Sequence, residues 1–287
     1  MNTLMVFGYG YTATIVGAQL RDKGWRVIGT TRDPVKAAEM QTEGIEAIIW
    51  PDANVTAAIN AATHILICTA PDKNGDPVLA AFQSEIEAQA AAIQWFGYLS
   101  TTAVYGDRGG GWVDETSDLN PATARGNLRV QAESAWLELG KTTTLPVHIF
   151  RLAGIYGPGR GPFAKVRAGT ARRIIKQGQV FSRTHVEDIA QVLQASIASP
   201  NAGAIYNVCD NDPAPPQDVI AEAARLLGLP IPEAVDFETA EMTPMARSFY
   251  AESKKVSNQR ILEELGITLK YPDYRSGLAA LLEAESA

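Results

Sequence analysis

Leu4-Met5-Val6-Phe7-Gly8-Tyr9-Gly10-Tyr11-Thr12-Ala13 decides how this chain folds. The apolar run Leu4–Phe7 has the content of a buried strand, and the GxGxxA turn after it opens a helical pattern over Ala13–Lys23. Gly8 permits the tight turn, Gly10 lets the backbone approach a pyrophosphate, and Ala13 is small enough for helix to pack on strand. The helix N-terminus adds N–H donors that have no intrahelical partners and suit an anion. A GxGxxG-like string alone is weak evidence. Between a first strand and a first helix it predicts a dinucleotide site made of Gly8, Tyr9, Gly10, Tyr11, Thr12 and Ala13.

Outward from this turn, the pattern keeps alternating. Arg26–Thr31, Glu46–Trp50, His64–Cys68, Phe96–Ser100 and Pro146–Arg151 read as further strands, with helical patterns including Pro77–Gln94 and Ala122–Leu139 between them. Strand and helix in turn at this spacing predict an α/β fold with a parallel sheet and right-handed crossovers. Ligands of such sheets sit beyond the carboxyl ends of the strands, so the segments after each strand are the places to look. Gly157–Pro162 breaks the pattern. A helix over Val186–Ala198, a short strand over Ala204–Val208 and a turn at Pro213–Pro216 follow.

The second strand ends in Thr30-Thr31-Arg32, where an acidic residue would grip the ribose hydroxyls of NAD. Arg32 pairs instead with a 2′-phosphate and Thr31 donates to it, so NADP(H) is favoured, with NAD(H) as the alternative. Asp52, after the third strand, is placed for the adenine edge or for solvent. Thr69-Ala70-Pro71, after the fourth, line the far side of the cofactor.

Composition narrows the partners. The chain has 287 residues and a formal net charge of -7, which disfavours nucleic acid and anionic membranes. Cys68 and Cys209 lie apart in apolar runs, and no His/Cys cluster suggests a metal. No apolar stretch reaches membrane-spanning length, and the strand pattern begins without a leader-like segment; both point to the cytoplasm.

At the fifth strand come Leu99-Ser100-Thr101-Thr102-Ala103-Val104-Tyr105-Gly106-Asp107, then Asp114-Glu115 and Pro121. Arg151-Leu152-Ala153-Gly154-Ile155-Tyr156-Gly157-Pro158-Gly159, His185-Val186-Glu187-Asp188 and Ile205-Tyr206-Asn207-Val208 follow in order. Together these resemble the extended short-chain dehydrogenase/reductase family, its NAD-dependent epimerase/dehydratase group. The resemblance implies a Rossmann-like, doubly wound domain over residues 1–158 and about 184–210. It implies a smaller substrate or cap region over about 159–183 and 211–287, and it leaves a homodimer open. Ser100 joins the cofactor set, and Thr101 matches the residue that polarises the substrate oxygen.

The family's acid/base is a Tyr separated by three residues from a Lys. Aligned on Pro121 and Glu133, those positions here are Arg125 and Arg129. An arginine stays protonated, so Arg125 can stabilise an oxyanion but cannot shuttle a proton. Arg129 can still hold ribose hydroxyls or pyrophosphate; a solvent-facing basic helix is the plainer alternative for both. The dehydratase Asp-Glu pair is replaced by Thr102-Ala103. The pattern resembles the atypical subgroup that keeps the glycine loop and lacks the tyrosine.

Between Gly159 and Thr184 lie Arg160, Lys165, Arg167, Arg172, Arg173, Lys176 and Arg183, with no acidic residue. Either they form a solvated face or they meet a phosphate or carboxylate, with Arg160, Arg167, Arg183 and His185 gathered into one pocket. His185 is both the best stand-in acid/base and a natural structural hydrogen-bonding residue. Tyr105 and Tyr156 match pocket-lining positions of the family. The expected protein is an NADP(H)-binding oxidoreductase or epimerase-like enzyme for an anionic small molecule, or a non-catalytic sensor on the same fold.

Overall fold

The computed structural model describes residues 1–286, for Met245 and Ser286 the backbone alone. Along the chain come β1 (Thr3–Phe7), α1 (Tyr11–Asp22), β2 (Arg26–Thr31), α2 (Pro34–Thr42), β3 (Glu46–Ile49), α3 (Asn54–Ala61), β4 (His64–Ile67), α4 (Pro77–Ala88) and β5 (Trp95–Thr101). Next are β6 (Trp112–Val113), α5 (Ala124–Thr142), β7 (Val147–Leu152), β8 (Gly154–Tyr156), α6 (Phe163–Arg167), β9 (Arg173–Ile175), β10 (Arg183–His185), α7 (Val186–Ala198) and β11 (Ile205–Val208). The chain continues through α8 (Pro216–Leu226), β12 (Ala234–Asp236), α9 (Pro244–Phe249), β13 (Lys255–Val256), α10 (Gln259–Glu264) and α11 (Tyr274–Ser286).

The main sheet is parallel and has seven strands in the order β11-β7-β5-β4-β1-β2-β3. Strand β1 is central, pairing with β2 through Val6 and Gly29 on one side and with β4 through Phe7 and Ile67 on the other. The order reverses direction between β1 and β4, which makes the carboxyl end of β1 the switch point of a doubly wound sheet. Every residue of β1 is buried, so both of its faces are covered and its sequence reads as an unbroken apolar run. On one face Phe7, Ile65, Ile67, Phe96 and Ile149 pack with Val55, Ile59, Ile86, Trp136 and Leu139. Among the described residues no helix is long and apolar enough to cross a membrane.

Two compact units share the chain. The first holds Met1–Thr101, Ala124–Arg151 and Ile189–Tyr206; the second holds Thr102–Thr123, Leu152–Asp188 and Asn207–Ala287. Residues 102–123, 152–158, 184–188 and 207–210 thus fall in the second unit. The second unit has its own core of Tyr156, Phe163, Val166, Ala223, Ala224, Tyr274, Leu278 and Leu281. Its β-structure is three two-stranded pairs, β10-β8, β12-β9 and β13-β6.

Local differences from the expected pattern have simple causes. The helix expected over Pro77–Gln94 stops at Ala88, with Phe82 already off helical geometry (φ -140°, ψ 18°). A turn closed by Ala92 N–H on the Gln89 carbonyl (2.9 Å) then returns the chain to the sheet. The short strand β10 at Arg183–His185 leads directly into α7.

Candidate functional site

The turn between β1 and α1 is built by what its residues lack. Gly8 has φ +83°, a conformation that costs an L-residue with a Cβ about 1–2 kcal/mol. A Cβ there would also stand 3.0 Å from the Thr69 methyl. The Gly8 amide donates to Thr30 Oγ1 (2.9 Å) and the Tyr9 amide to the Thr30 carbonyl (2.8 Å), which fixes the turn on β2. Helix α2 is capped by the Asp33 carboxylate on Val35 N–H, and α4 by Asp76 on Val78 and Leu79 N–H. Helix α1 has Gly10 as its N-cap and no side-chain cap. No acidic residue lies in its first turn to meet the positive end of the helix.

Thr69, just past the end of β4 and next to Gly8, has a buried hydroxyl with no hydrogen-bond partner among the described residues. An orphaned hydroxyl beside a glycine cradle and an uncapped helix end fits the diphosphate and adjoining sugar of a dinucleotide. Tyr9, Thr12 and Ala13 are buried and Gly10 is exposed. The Tyr9 side chain runs under α1: a Cβ on Gly17 would come within 2.2 Å of its hydroxyl, and one on Gly29 within 2.6 Å of its ring. Only the backbone of Tyr9 is left for a ligand. Burial raises both its hydroxyl and the neighbouring Cys68 thiol, the latter to about 12.

At the end of β2, Arg32 is exposed and makes no hydrogen bond or ion pair among the described residues. Thr31 Oγ1 accepts from the Asp33 amide (3.2 Å), while the Asp33 carboxylate is spent on capping α2. No acidic side chain there stands ready for a ribose. Asp52 is exposed and accepts from Asn54 N–H (2.7 Å). Ala70 is exposed, and Pro71 is half-buried.

Helix α5 is pinned to β5 by charge. Gly126, Ala132, Glu133, Trp136 and Leu139 form its buried stripe, with half-buried Arg129 at helical spacing among them. Arg151, on β7, grips Glu133 through Nε (3.1 Å) and Nη2 (2.8 Å), and the Ser100 hydroxyl donates to the same carboxylate. Both charged side chains are almost fully enclosed, at 3% and 2% exposure. Ser100 therefore turns its hydroxyl into this network. Arg129 Nη1 donates to the Leu99 carbonyl (2.6 Å) and the Tyr98 hydroxyl (3.0 Å). Arg125 is exposed and bonds to nothing among the described residues. Thr101, half-buried, ends β5. Sequence reasoning used Glu133 only as a landmark. Its signal was a carboxylate on an otherwise sheet-facing stripe, which demands a buried cation.

In the second unit the expected pocket residues are tied to separate partners. Tyr105 is buried and donates to Asn207 Oδ1 (2.7 Å). Glu115 accepts from the Asn207 amide (2.7 Å), while Asp114 holds a local turn through Thr116 and Ser117. The Tyr156 hydroxyl reaches the Asp273 carbonyl (3.5 Å), and its ring packs edge-on against His185 at 5.2 Å. His185 Nδ1 accepts from the Glu187 amide (3.2 Å) at the start of α7, and burial lowers the imidazole to about 4. That contact fits the structural alternative; with Nδ1 accepting, the neutral ring carries its one proton on Nε2, which has no partner among the described residues. Arg183 bonds the carbonyls of Phe181 and Ala214, Arg167 pairs with Glu285, and Arg160 is exposed.

The NAD dependent epimerase/dehydratase family matches residues 4–209, from the first residue of the opening apolar run to the cysteine after β11. The chain belongs to that family. It is 31% identical to Protein YeeZ of Escherichia coli (strain K12) over 290 residues, covering 95% of this chain and 97% of that protein. A solved structure of a functionally unknown conserved protein from Silicibacter pomeroyi DSS shares 57% identity over 100% of both chains, with a TM-score of 0.93. dTDP-glucose 4,6-dehydratase from Bacillus anthracis, solved in complex with NAD, shares the fold at TM-score 0.79 but only 18% identity, over 100% of this chain and 97% of that one.

Proposed function

We propose that this chain is a cytoplasmic NADP(H)-binding oxidoreductase or epimerase-like enzyme acting on an anionic, sugar-nucleotide-like small molecule, with NAD(H) as a weaker alternative cofactor. The observation that carries it is the uncapped start of α1 at Gly10, beside left-handed Gly8 and the unpartnered Thr69 hydroxyl. Backbone amides of the Gly8–Ala13 turn hold the diphosphate, and Arg32 selects the extra phosphate. The nicotinamide group, when bound, supplies hydride exchange. Structures of the same fold that contain NAD lend support.

Thr101 would orient the reacting oxygen, and exposed Arg125 would stabilise negative charge developing on it. Arg129, drawn against β5 by the Leu99 carbonyl, would keep a fixed positive charge near the nicotinamide ribose. Substrate recognition falls to the second unit, whose basic segment supplies cations. The loss of turnover in Arg125→Ala with NADPH affinity unchanged is the expected result; unchanged turnover removes Arg125 from the mechanism.

A second reading has its own support. Helix α5 contains no tyrosine, and its only lysine is Lys141 in the last turn. A chain without that acid/base suits a non-catalytic redox sensor that responds to NADP(H) occupancy. Tight NADPH binding without oxidation by any keto-sugar, nucleotide sugar or aldehyde would favour it.

A further inference from the structure

Part of the second unit's charge is paired off. Arg167 meets Glu285, Arg225 meets Glu222, Lys254 meets Glu252, Lys270 meets Glu187 and Arg275 meets Asp212, all at 2.5 to 2.6 Å. Other cations form no such pair among the described residues, and Lys176, Arg183 and Arg247 are three of them. Lys176 Nζ donates to the Tyr250 carbonyl, and Arg183 Nη1 to those of Phe181 (2.9 Å) and Ala214 (3.0 Å). Arg247 Nη2 donates to those of Ala240 (3.0 Å) and Phe237 (3.4 Å). A carbonyl satisfies a donor without cancelling its charge. None of the three forms an ion pair among the described residues. Asp107 acts on Lys176 only from a distance, its carboxylate held by the Ser253 and Gly109 amides. Asp210, which faces Arg183, is buried and pushed up to about 8, so it is neutral at pH 7.

These cations surround one aromatic cluster. The Tyr250 ring lies 5.3 Å from Phe237 and 5.9 Å from Phe181. Lys176 Nζ stands 5.2 Å and Arg247 Cζ 4.7 Å from the Phe237 centroid. Cation–π attraction explains why each of those two sits on a ring. It does not explain why two like charges flank the same ring without an ion pair to either, with Arg183 bonded to the carbonyl of Phe181 beside them. Two further groups await partners: the Tyr250 hydroxyl bonds to nothing among the described residues, and Gln179 Oε1 is a buried acceptor without a donor. Gln179 Nε2 donates to the Glu252 carbonyl (2.6 Å), which places that amide beside the loop carrying Tyr250.

We propose that the Phe181–Phe237–Tyr250 cluster receives an aryl carboxylate, its ring on the aromatic faces and its carboxylate on Lys176, Arg183 and Arg247. The inference rests on the anionic-substrate reading above and narrows it. A ring hydroxyl on the ligand would meet Gln179 Oε1. A nucleobase suits the cluster less well, because its edge brings several polar atoms that are costly to bury unpaired, and the cluster offers mainly ring faces and charges.

The test is calorimetric titration of the full chain with 4-hydroxybenzoate, with and without NADPH, at low salt. Saturable binding is expected, weakened at least about tenfold in Lys176→Met and in Arg247→Met and recovered in Lys176→Arg, a charge-assisted contact being worth that much. Neutral 4-hydroxybenzyl alcohol, which keeps the ring and lacks the charge, is expected not to bind. Thermal midpoints of the variants, matched to the parent, separate lost contact from lost fold. Saturable NADPH binding with no response to the aryl acid overturns the proposal and leaves the cofactor reading standing. Binding of UMP in its place, weakened by the same substitutions, also overturns it. Absence of NADPH binding strikes the cofactor reading, while the aryl-acid titration still decides the cluster.

Discussion

The first turn of α1 and the first turns of α5 approach the same end of the sheet by opposite means. Helix α1 begins with no side chain at work: Gly8 in the left-handed region, Gly10 as cap, and a hydroxyl beside them without a partner. Helix α5 is held by side chains throughout, through Glu133 gripped by Arg151 and Ser100, and Arg129 drawn to β5. A site made from backbone tolerates sequence drift and keeps its ligand. A site made from side chains keeps its frame only while the partners persist, and its chemistry changes with each substitution. This contrast fits the proposed dinucleotide turn beside a helix whose Arg125 and Arg129 stand where the resemblance expects a tyrosine and a lysine.

The sharpest way to break the contrast is to remove the anchor of α5. Glu133→Ala leaves Arg151 buried without its counter-charge, and a destabilisation of about 3–5 kcal/mol is expected by chemical denaturation. Replacing both partners together, as Glu133→Leu with Arg151→Met, is expected to cost clearly less, because no lone charge remains. Equal losses in the single and double variants would mean that the pair does not hold the helix.

Next in size is the turn itself. Gly8→Ala forces an L-residue to φ +83° and a Cβ to 3.0 Å from Thr69. About 1–2 kcal/mol of stability and about tenfold or more in NADPH affinity are expected to go. Fluorescence titration of bound NADPH reads the second effect. Full affinity in a folded Gly8→Ala protein would show that the diphosphate does not rest on this turn.

How much of this was legible in the sequence follows from the same contrast. The turn could be read because its constraints are local: glycines at fixed spacing between an apolar run and a helical pattern. The parallel α/β sheet followed from alternation, and the family from motifs kept in order along the chain. The anchor could not be read. Ser100, Glu133 and Arg151 lie far apart in sequence, and only the fold brings them together. Where the Tyr9 side chain goes could not be read for a related reason. Its place in the motif suggested ligand contact, whereas small residues at Gly17 and Gly29 open a slot that takes its ring beneath the helix. In the basic segment the count of charges was visible but their partners, such as Glu285 for Arg167 and the Phe181 and Ala214 carbonyls for Arg183, were not.

A smaller effect tests which phosphate the end of β2 prefers. Arg32 is exposed and unpaired, and Asp33 is occupied as the α2 cap. Arg32→Ala is expected to lower NADPH affinity by about tenfold, roughly 1.4 kcal/mol, and to leave NADH affinity where it was. An unchanged NADPH/NADH ratio would remove Arg32 from cofactor choice.

The smallest expected effect lies in the second unit, where a side chain rather than backbone carries the strain. Asp210 is buried, with one carboxylate oxygen unpartnered, and its pKa is raised to about 8 by burial. The folded protein therefore holds a proton there that the unfolded chain releases at much lower pH, and stability falls as pH rises between the two values. His64 and His185, lowered to about 4 by burial, and His148, also lowered by burial, act in the opposite sense, and their effect runs on to about pH 7.5. They act alike in the parent and in Asp210→Asn, so the difference between the two proteins isolates Asp210. From pH 6.5 to 8 the parent is expected to lose on the order of 1 kcal/mol relative to Asp210→Asn. Parallel slopes for the two proteins would mean that Asp210 is already ionised in the fold and that Arg183 has a counter-charge after all. That result would also weaken the case for an anion at the neighbouring aromatic cluster.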